Sequence, residues 1–231
     1  MKKIKFTTLA FLAITAFAFL FSSCESDENY SRSNYWNGIA TVYPEENGNF
    51  YLVLENAKLG IKESDVKDYN PIEGQRALVQ FSLLEKDTSK YDFYIKLEAI
   101  QDVLSKKIID LTSSNAEELG VDPIKVLSLP WISDNYLNIH YGYNVGDKPV
   151  VHFINLVQNK LEESSIGDGD EPIRLEFRHN ANGDGEISGT TGYVSFDLSP
   201  FQVEDKDSVS LKIKVKDFTE DRTYNINYKY R

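Results

Sequence analysis

Near the C-terminus, Val209, Leu211, Ile213 and Val215 alternate with Ser210, Lys212, Lys214 and Lys216. A period of two puts every apolar side chain on one face of an extended strand and every polar one on the other. The same pattern recurs at Leu137, Ile139, Tyr141 and Tyr143, with Asn138 and His140 opposite. It recurs again at Ile173, Leu175 and Phe177, at Val194, Phe196 and Leu198, and at Tyr224, Ile226 and Tyr228. Val150 to Val157 is apolar on both faces apart from His152 and Asn155, as expected of a central strand. Helical spacing is confined to short stretches. The chain is therefore expected to be all-β.

The N-terminal half carries the same signature between turns. Ile39, Thr41 and Tyr43 share one face of a first strand, and a turn-like Pro44–Asn49 follows. Phe50, Leu52 and Leu54, then Ala77, Val79, Phe81 and Leu83, then Phe93, Ile95 and Leu97 continue it. Ile100, Val103 and Leu104 drift toward helical spacing, which suggests a small helical or bent corner. Four or five strands of this kind suit a small barrel of the OB type. From Thr112 to Leu129 the chain turns polar and irregular. There Ser114 and Glu117 have capping-box spacing, Gly120 can end the short helix, and Asp122-Pro123 marks a break. The reading is a barrel over 35–111, a linker over 112–128 and an antiparallel β-sandwich over 129–231.

The first 34 residues are of another kind. Lys2, Lys3 and Lys5 precede Phe6 to Phe21, 16 residues without a charge. That is short of the ~20 needed to span a bilayer and has the form of a secretory leader over 1–23. Phe21-Ser22-Ser23-Cys24 resembles a lipobox, which implies a diacylglycerol on the thiol of Cys24. Cys24 is the one cysteine in 231 residues, so no disulfide can form within the chain. Glu25-Ser26-Asp27-Glu28 then opens an acidic tether over 24–34 and resembles the surface-export signal of Bacteroidota lipoproteins. The expected address is the outer membrane, lipid-anchored and on the cell surface, with the periplasmic face as the other choice.

A formal net charge of −11 argues against binding to phosphate backbones, which requires Lys and Arg to displace counterions. Nucleic acid is not an expected partner. Sites for chemistry are sparse. Asn180-Ala181-Asn182-Gly183-Asp184-Gly185-Glu186 resembles the first part of a calcium loop. However, Asn180 stands where aspartate is usual and Thr191 where a bidentate glutamate belongs. A polar turn explains the same residues. Gly167–Glu171 is a second acidic turn. His140, His152 and His179, the three histidines, would have to converge to hold zinc. No nucleophile elbow or phosphate loop is present. Lys212, Lys214 and Lys216 read as a solvated or edge-protecting stripe. Tyr35, Trp36, Trp131, Tyr141 and Tyr143 could stack on sugars, though alternating aromatics are ordinarily core. No catalytic, cofactor or metal residues are assigned.

Two groups of segments carry a family resemblance. Gly74–Leu84 and Tyr91–Leu97 resemble the N-terminal OB-like domain of the NigD-like lipoproteins. Trp131–Ile139, Leu175–Asp184 and Tyr193–Leu198 resemble, in order, that family's C-terminal sandwich. The resemblance covers about Tyr35 to the C-terminus and implies an OB-like domain and a β-sandwich on an envelope lipoprotein, with an accessory or immunity role linked to bacteriocins. The residues themselves, without a catalytic motif, lead to the expectation of a non-enzymatic binding or structural module. The partner would be a protein or a glycan. The alternatives are a surface glycan-binding module or a glycan hydrolase using paired carboxylates.

Overall fold

A computed structural model describes residues 35–86, 89–161 and 171–231. The leader, the tether, Cys24 and Gly167–Asp170 lie outside the described residues.

The first five strands are β1 (Tyr35–Pro44), β2 (Phe50–Leu54), β3 (Ala57–Ser64), β4 (Arg76–Lys86) and β5 (Phe93–Asp102). They close into a barrel in the order β1-β2-β3-β5-β4, with β3 and β5 parallel and every other neighbour antiparallel. Val42, Leu52, Leu59, Val79, Phe81 and Ile95 fill it. The alternation in β1 is concealed because both its faces are covered, and Ile39, Ala40, Thr41 and Val42 are all buried. Ala40 and Val42 point into the barrel, while the opposite face meets the second domain. Strand β3 shows no clear period of two in its sequence. It starts from a two-residue turn at Glu55 and Asn56, both at positive φ (50° and 71°), the geometry that suits hairpin twist.

The remaining strands are β6 (Leu104–Lys106), β7 (Ile109–Leu111), β8 (Lys125–Val126), β9 (Trp131–Ser133), β10 (Tyr136–Val145), β11 (Phe153–Asn159), β12 (Ile173–Asn180), β13 (Ser188–Asp197), β14 (Ser208–Lys216) and β15 (Asp221–Lys229). One sheet runs β6-β13-β10-β8 with β9 also on β10, and the other runs β15-β14-β12-β11-β7. Leu137, Ile139, Phe177, Phe196, Leu211 and Ile213 meet between them. The sandwich is mixed rather than purely antiparallel. Strands β6 and β13, β7 and β11, and β12 and β14 pair in parallel. Val150–Val157 resolves into β11, which is interior to its sheet but begins only at Phe153.

Two local expectations are corrected. Ile100–Leu104 forms no helical corner. Strand β5 continues to Asp102, and β6 and β7 then hydrogen-bond into opposite sheets of the sandwich. A boundary after 111 therefore cuts behind two strands that belong to the sandwich sheets, and β8 lies inside the expected linker. The short helix α1 (Ala116–Leu119) forms and ends at Gly120 (φ 59°), but its first residue follows Asn115, not Ser114. The Ser114 hydroxyl lies 2.9 Å from that of Thr112, and Asn115 Oδ1 accepts from the Thr112 amide instead.

Barrel and sandwich are joined by a guanidinium. Arg76 at the start of β4 is fully buried. It donates to Thr41 Oγ1 (2.5 Å), Asp134 Oδ2 (2.9 Å), the Ile39 carbonyl (3.0 Å), Ser133 Oγ (2.6 Å) and Asn138 Oδ1 (3.3 Å). Asp134 sits in the β9–β10 turn at positive φ (49°), which aims its carboxylate back at the barrel. A buried charge is tolerated only when it is paired and hydrogen-bonded, and both terminal nitrogens of Arg76 are, although its Nε is buried without a partner.

Candidate functional site

The outer face of the barrel carries a row of tyrosines that no sequence period announces. In register across three strands stand Tyr43 (β1), Tyr51 (β2) and Gly60 (β3), and Tyr94 of β5 lies opposite Gly60. Glycine leaves a gap there, and Tyr91, from the segment before β5, lies in it. A Cβ on Gly60 would fall 2.3 Å from the Tyr91 ring. The rings are thus continuous: Tyr43 to Tyr51 at 5.1 Å, Tyr51 to Tyr91 at 5.9 Å and Tyr91 to Tyr94 at 5.4 Å between centroids. Lys58, Lys62 and Lys90 stand over Tyr51, Tyr94 and Tyr91 at 6.0, 5.7 and 4.9 Å.

Beside this row opens a cleft of about 520 Å³. Phe50, Tyr69, Tyr91 and Tyr94 give it aromatic walls, and Glu45, Asn49, Ser64, Asp68 and Lys90 give it polar groups. Lys90 pairs with Glu45 at 2.9 Å, and the Tyr91 hydroxyl donates to the same carboxylate at 2.9 Å. Lys90 first, then Tyr91, hold the Glu45 carboxyl below its ordinary range. Burial, then the hydrogen bond to Asp102 (2.8 Å), pushes the Tyr69 phenol up, so it stays a neutral hydroxyl. The β1–β2 loop and the segment entering β5 flank the site, which is where barrels of this type receive oligomeric ligands.

The histidines divide. His140 stacks on Tyr193 at 4.3 Å on the outer face of its sheet. His152 and His179 meet at the end of the sandwich, with His152 Nδ1 2.8 Å from His179 Nε2. His152 Nε2 lies 3.0 Å from Asp184 Oδ2, and His179 Nδ1 lies 3.0 Å from the Pro123 carbonyl. Their ring nitrogens face each other rather than a common ion, and among the described residues no group of three or more His, Cys, Asp or Glu is placed to hold a metal.

The calcium-like loop spends its oxygens internally. Asn180 Oδ1 accepts from the Asn182 amide (2.8 Å), and Asp184 accepts from the Gly146 and Gly185 amides (2.8 Å each) and faces His152. Its side-chain amides donate to the carbonyls of Glu118 and Val151. Asn180 Oδ1 and both Asp184 oxygens are thus already hydrogen-bonded within the fold. Of the aromatic candidates, Tyr141 is buried against Phe177, and Tyr143 covers His152 and His179. Trp131 leans on Tyr193, while Tyr35 and Trp36 are exposed at the start of β1. Lys212, Lys214 and Lys216 are exposed, with Lys214 paired to Asp221. None of these five aromatics lines the barrel cleft. The cleft aromatics were missed because Tyr91 reaches the row from outside any strand and Tyr69 lies in the β3–β4 connection.

Residues 39–103 match the family model of the NigD-like N-terminal OB domain, and residues 107–228 match that of the NigD-like C-terminal beta sandwich domain. The chain belongs to the NigD-like family. Among solved structures, a candidate toxin-related protein from Parabacteroides distasonis is 34% identical. That match covers 85% of this chain and 94% of the other, with a TM-score of 0.72. A NigD-like immunity protein from Bacteroides caccae shares the fold at 16% identity, with 85% and 98% covered and a TM-score of 0.66. A candidate lipoprotein from Bacteroides fragilis does so at 13% identity, with 86% and 99% covered and a TM-score of 0.60. No curated protein matches the chain. No helix of the described residues is long and apolar enough to cross a membrane.

Proposed function

We propose that this NigD-like protein is a non-enzymatic binding module of the cell envelope that takes a neutral glycan in the barrel cleft. The observation that carries this reading is the cleft itself, with tyrosine rings beside paired lysine and carboxylate groups. Sugar rings stack their C–H faces on aromatics, and their hydroxyls both donate and accept, which matches an alternation of ammonium and carboxylate. The acidic balance of the chain disfavours oligonucleotides, the other ligand class of such barrels. Glu45 does not suit the general-acid role of a hydrolase, which needs a carboxyl raised toward neutrality, because Lys90 and Tyr91 lower this one. On a glycan array, the protein is expected to retain neutral oligosaccharides. A Tyr94→Ala variant should lose at least tenfold in affinity. An array bare of all glycans would refute the reading.

The anchor belongs to the same proposal. The lipobox-like Phe21–Cys24 and the acidic residues after it support attachment through Cys24 at the outer membrane, facing outward. Two or more acyl chains are required for stable anchoring. Cys24→Ala is expected to abolish labelling with palmitate, and unchanged labelling would contradict the anchor. A second reading rests on the relatives named for toxins and immunity. It is an accessory part in bacteriocin production or protection, and unaltered bacteriocin sensitivity after gene deletion would count against the protective part.

A further inference from the structure

The histidine pair at the end of the sandwich has a hydrogen count that its geometry determines. The Pro123 carbonyl only accepts, so His179 Nδ1, 3.0 Å away, carries a hydrogen. The Asp184 carboxylate also only accepts. Its ionised form is favoured by the Gly146 amide first and by His152 next. His152 Nε2, 3.0 Å from it, therefore carries a hydrogen too. Between His152 Nδ1 and His179 Nε2, at 2.8 Å, a third must sit, because two bare lone pairs would repel there. Three hydrogens on four ring nitrogens is one more than two neutral imidazoles possess.

We propose that His152 and His179 share one extra proton in the folded protein, and that this proton is a latch on the end of the sandwich that loosens as pH rises. Three segments meet at it: the chain around Asp122 and Pro123, the loop from Gly146 to His152, and the turn from Ala181 to Ile187. Asp122 accepts from the Ala181 amide (2.8 Å), and Asp184 from the Gly146 amide (2.8 Å). The charged and titratable groups facing the pair are Asp184 in the turn, Asp122 before Pro123, Glu186 on the adjoining small cavity of about 100 Å³, and Tyr143 of β10. Tyr143 stacks over both rings at 4.5 and 4.8 Å. Burial disfavours a cation on His179, the Pro123 carbonyl works the other way, and His152 beside it disfavours one further. By geometry the doubly protonated ring is the one that faces the Asp184 carboxylate, His152, and His179 keeps its single hydrogen on Nδ1 toward the Pro123 carbonyl.

The sign follows from counting. Above the ordinary imidazole range of about 6.5, an unfolded chain holds no such proton and the folded one does, so raising pH favours unfolding. Deprotonation moves the hydrogen between the rings to solvent and leaves two acceptors facing each other. One proton of difference makes the folding equilibrium fall by up to about tenfold per pH unit.

Nitrogen-15 NMR of wild-type protein at pH 7.5 tests this directly. The expected spectrum has both His152 nitrogens and His179 Nδ1 protonated, and only two protonated nitrogens in the pair would overturn the proposal. Urea unfolding from pH 6 to 9 should show the stability decline in wild type. A His152→Gln variant should show a clearly shallower decline, and equal slopes would overturn it as well.

Discussion

The barrel cleft and the histidine end of the sandwich use the same kinds of group, tyrosines beside a cation-forming side chain and a carboxylate, in opposite ways. In the sandwich, the His152 and Asp184 side chains are 2% and 5% exposed. The relay from the Pro123 carbonyl through His179 and His152 to Asp184 pairs each of its polar atoms with the next. In the barrel, Lys90 and Glu45 are 62% and 25% exposed and border open volume. Closed networks hold a fold together, whereas an open cleft with convergent polar groups is built to meet something else. Burial, not composition, separates scaffold from site in this molecule.

The largest expected effect lies between the two regions. Arg76→Ala strands the Asp134 carboxylate and empties a fully buried position, at a cost of about 3–5 kcal/mol in urea unfolding. A cost near zero would mean that barrel and sandwich are not coupled through this pair. Next comes Gly60→Ala, which drives Tyr91 out of the row. About 1–3 kcal/mol of stability should be lost by overpacking, together with at least tenfold in glycan affinity. Loss of stability without loss of affinity would separate the row from the cleft. A smaller effect is expected in acid. Asp184 is held low mainly by the Gly146 amide, so its contribution is present above the ordinary carboxylate range of about 3.9 and is lost as pH falls below it. Asp184→Asn should flatten the acid limb of a thermal-unfolding profile. The smallest is Lys62→Gln. Its partner Glu85 is half exposed, and the unfolding midpoint should not move.

The scaffold was more legible in the sequence than the site. Alternation in β12 and β14 leaves one face of each strand polar and more open to solvent, so period two finds the sandwich directly. Strand β10 keeps the same alternation although Asn138 on its polar face is buried. The barrel's first strand resists that reading because Ile39 and Thr41 face the sandwich while Ala40 and Val42 face the barrel core. Strands β6 and β7, three residues each, are too short to show a period, so the domain boundary was drawn behind them. The cleft depends on Gly60 opposite Tyr94 and on Tyr91 folding across from a connecting segment. Such pairings exist only once strand register is known. Likewise, His152 and His179 are 27 residues apart and became neighbours only through the pairing of β11 with β12.

The central claim is that the tyrosine-lined cleft is the working surface of the protein. Calorimetric titration of a neutral oligosaccharide selected from the array into wild-type protein and into Tyr94→Ala, both checked for equal unfolding midpoints, tests it most directly. A saturable heat in wild type that falls at least tenfold in affinity in the variant is the predicted result. Equal affinities in the two proteins would contradict it.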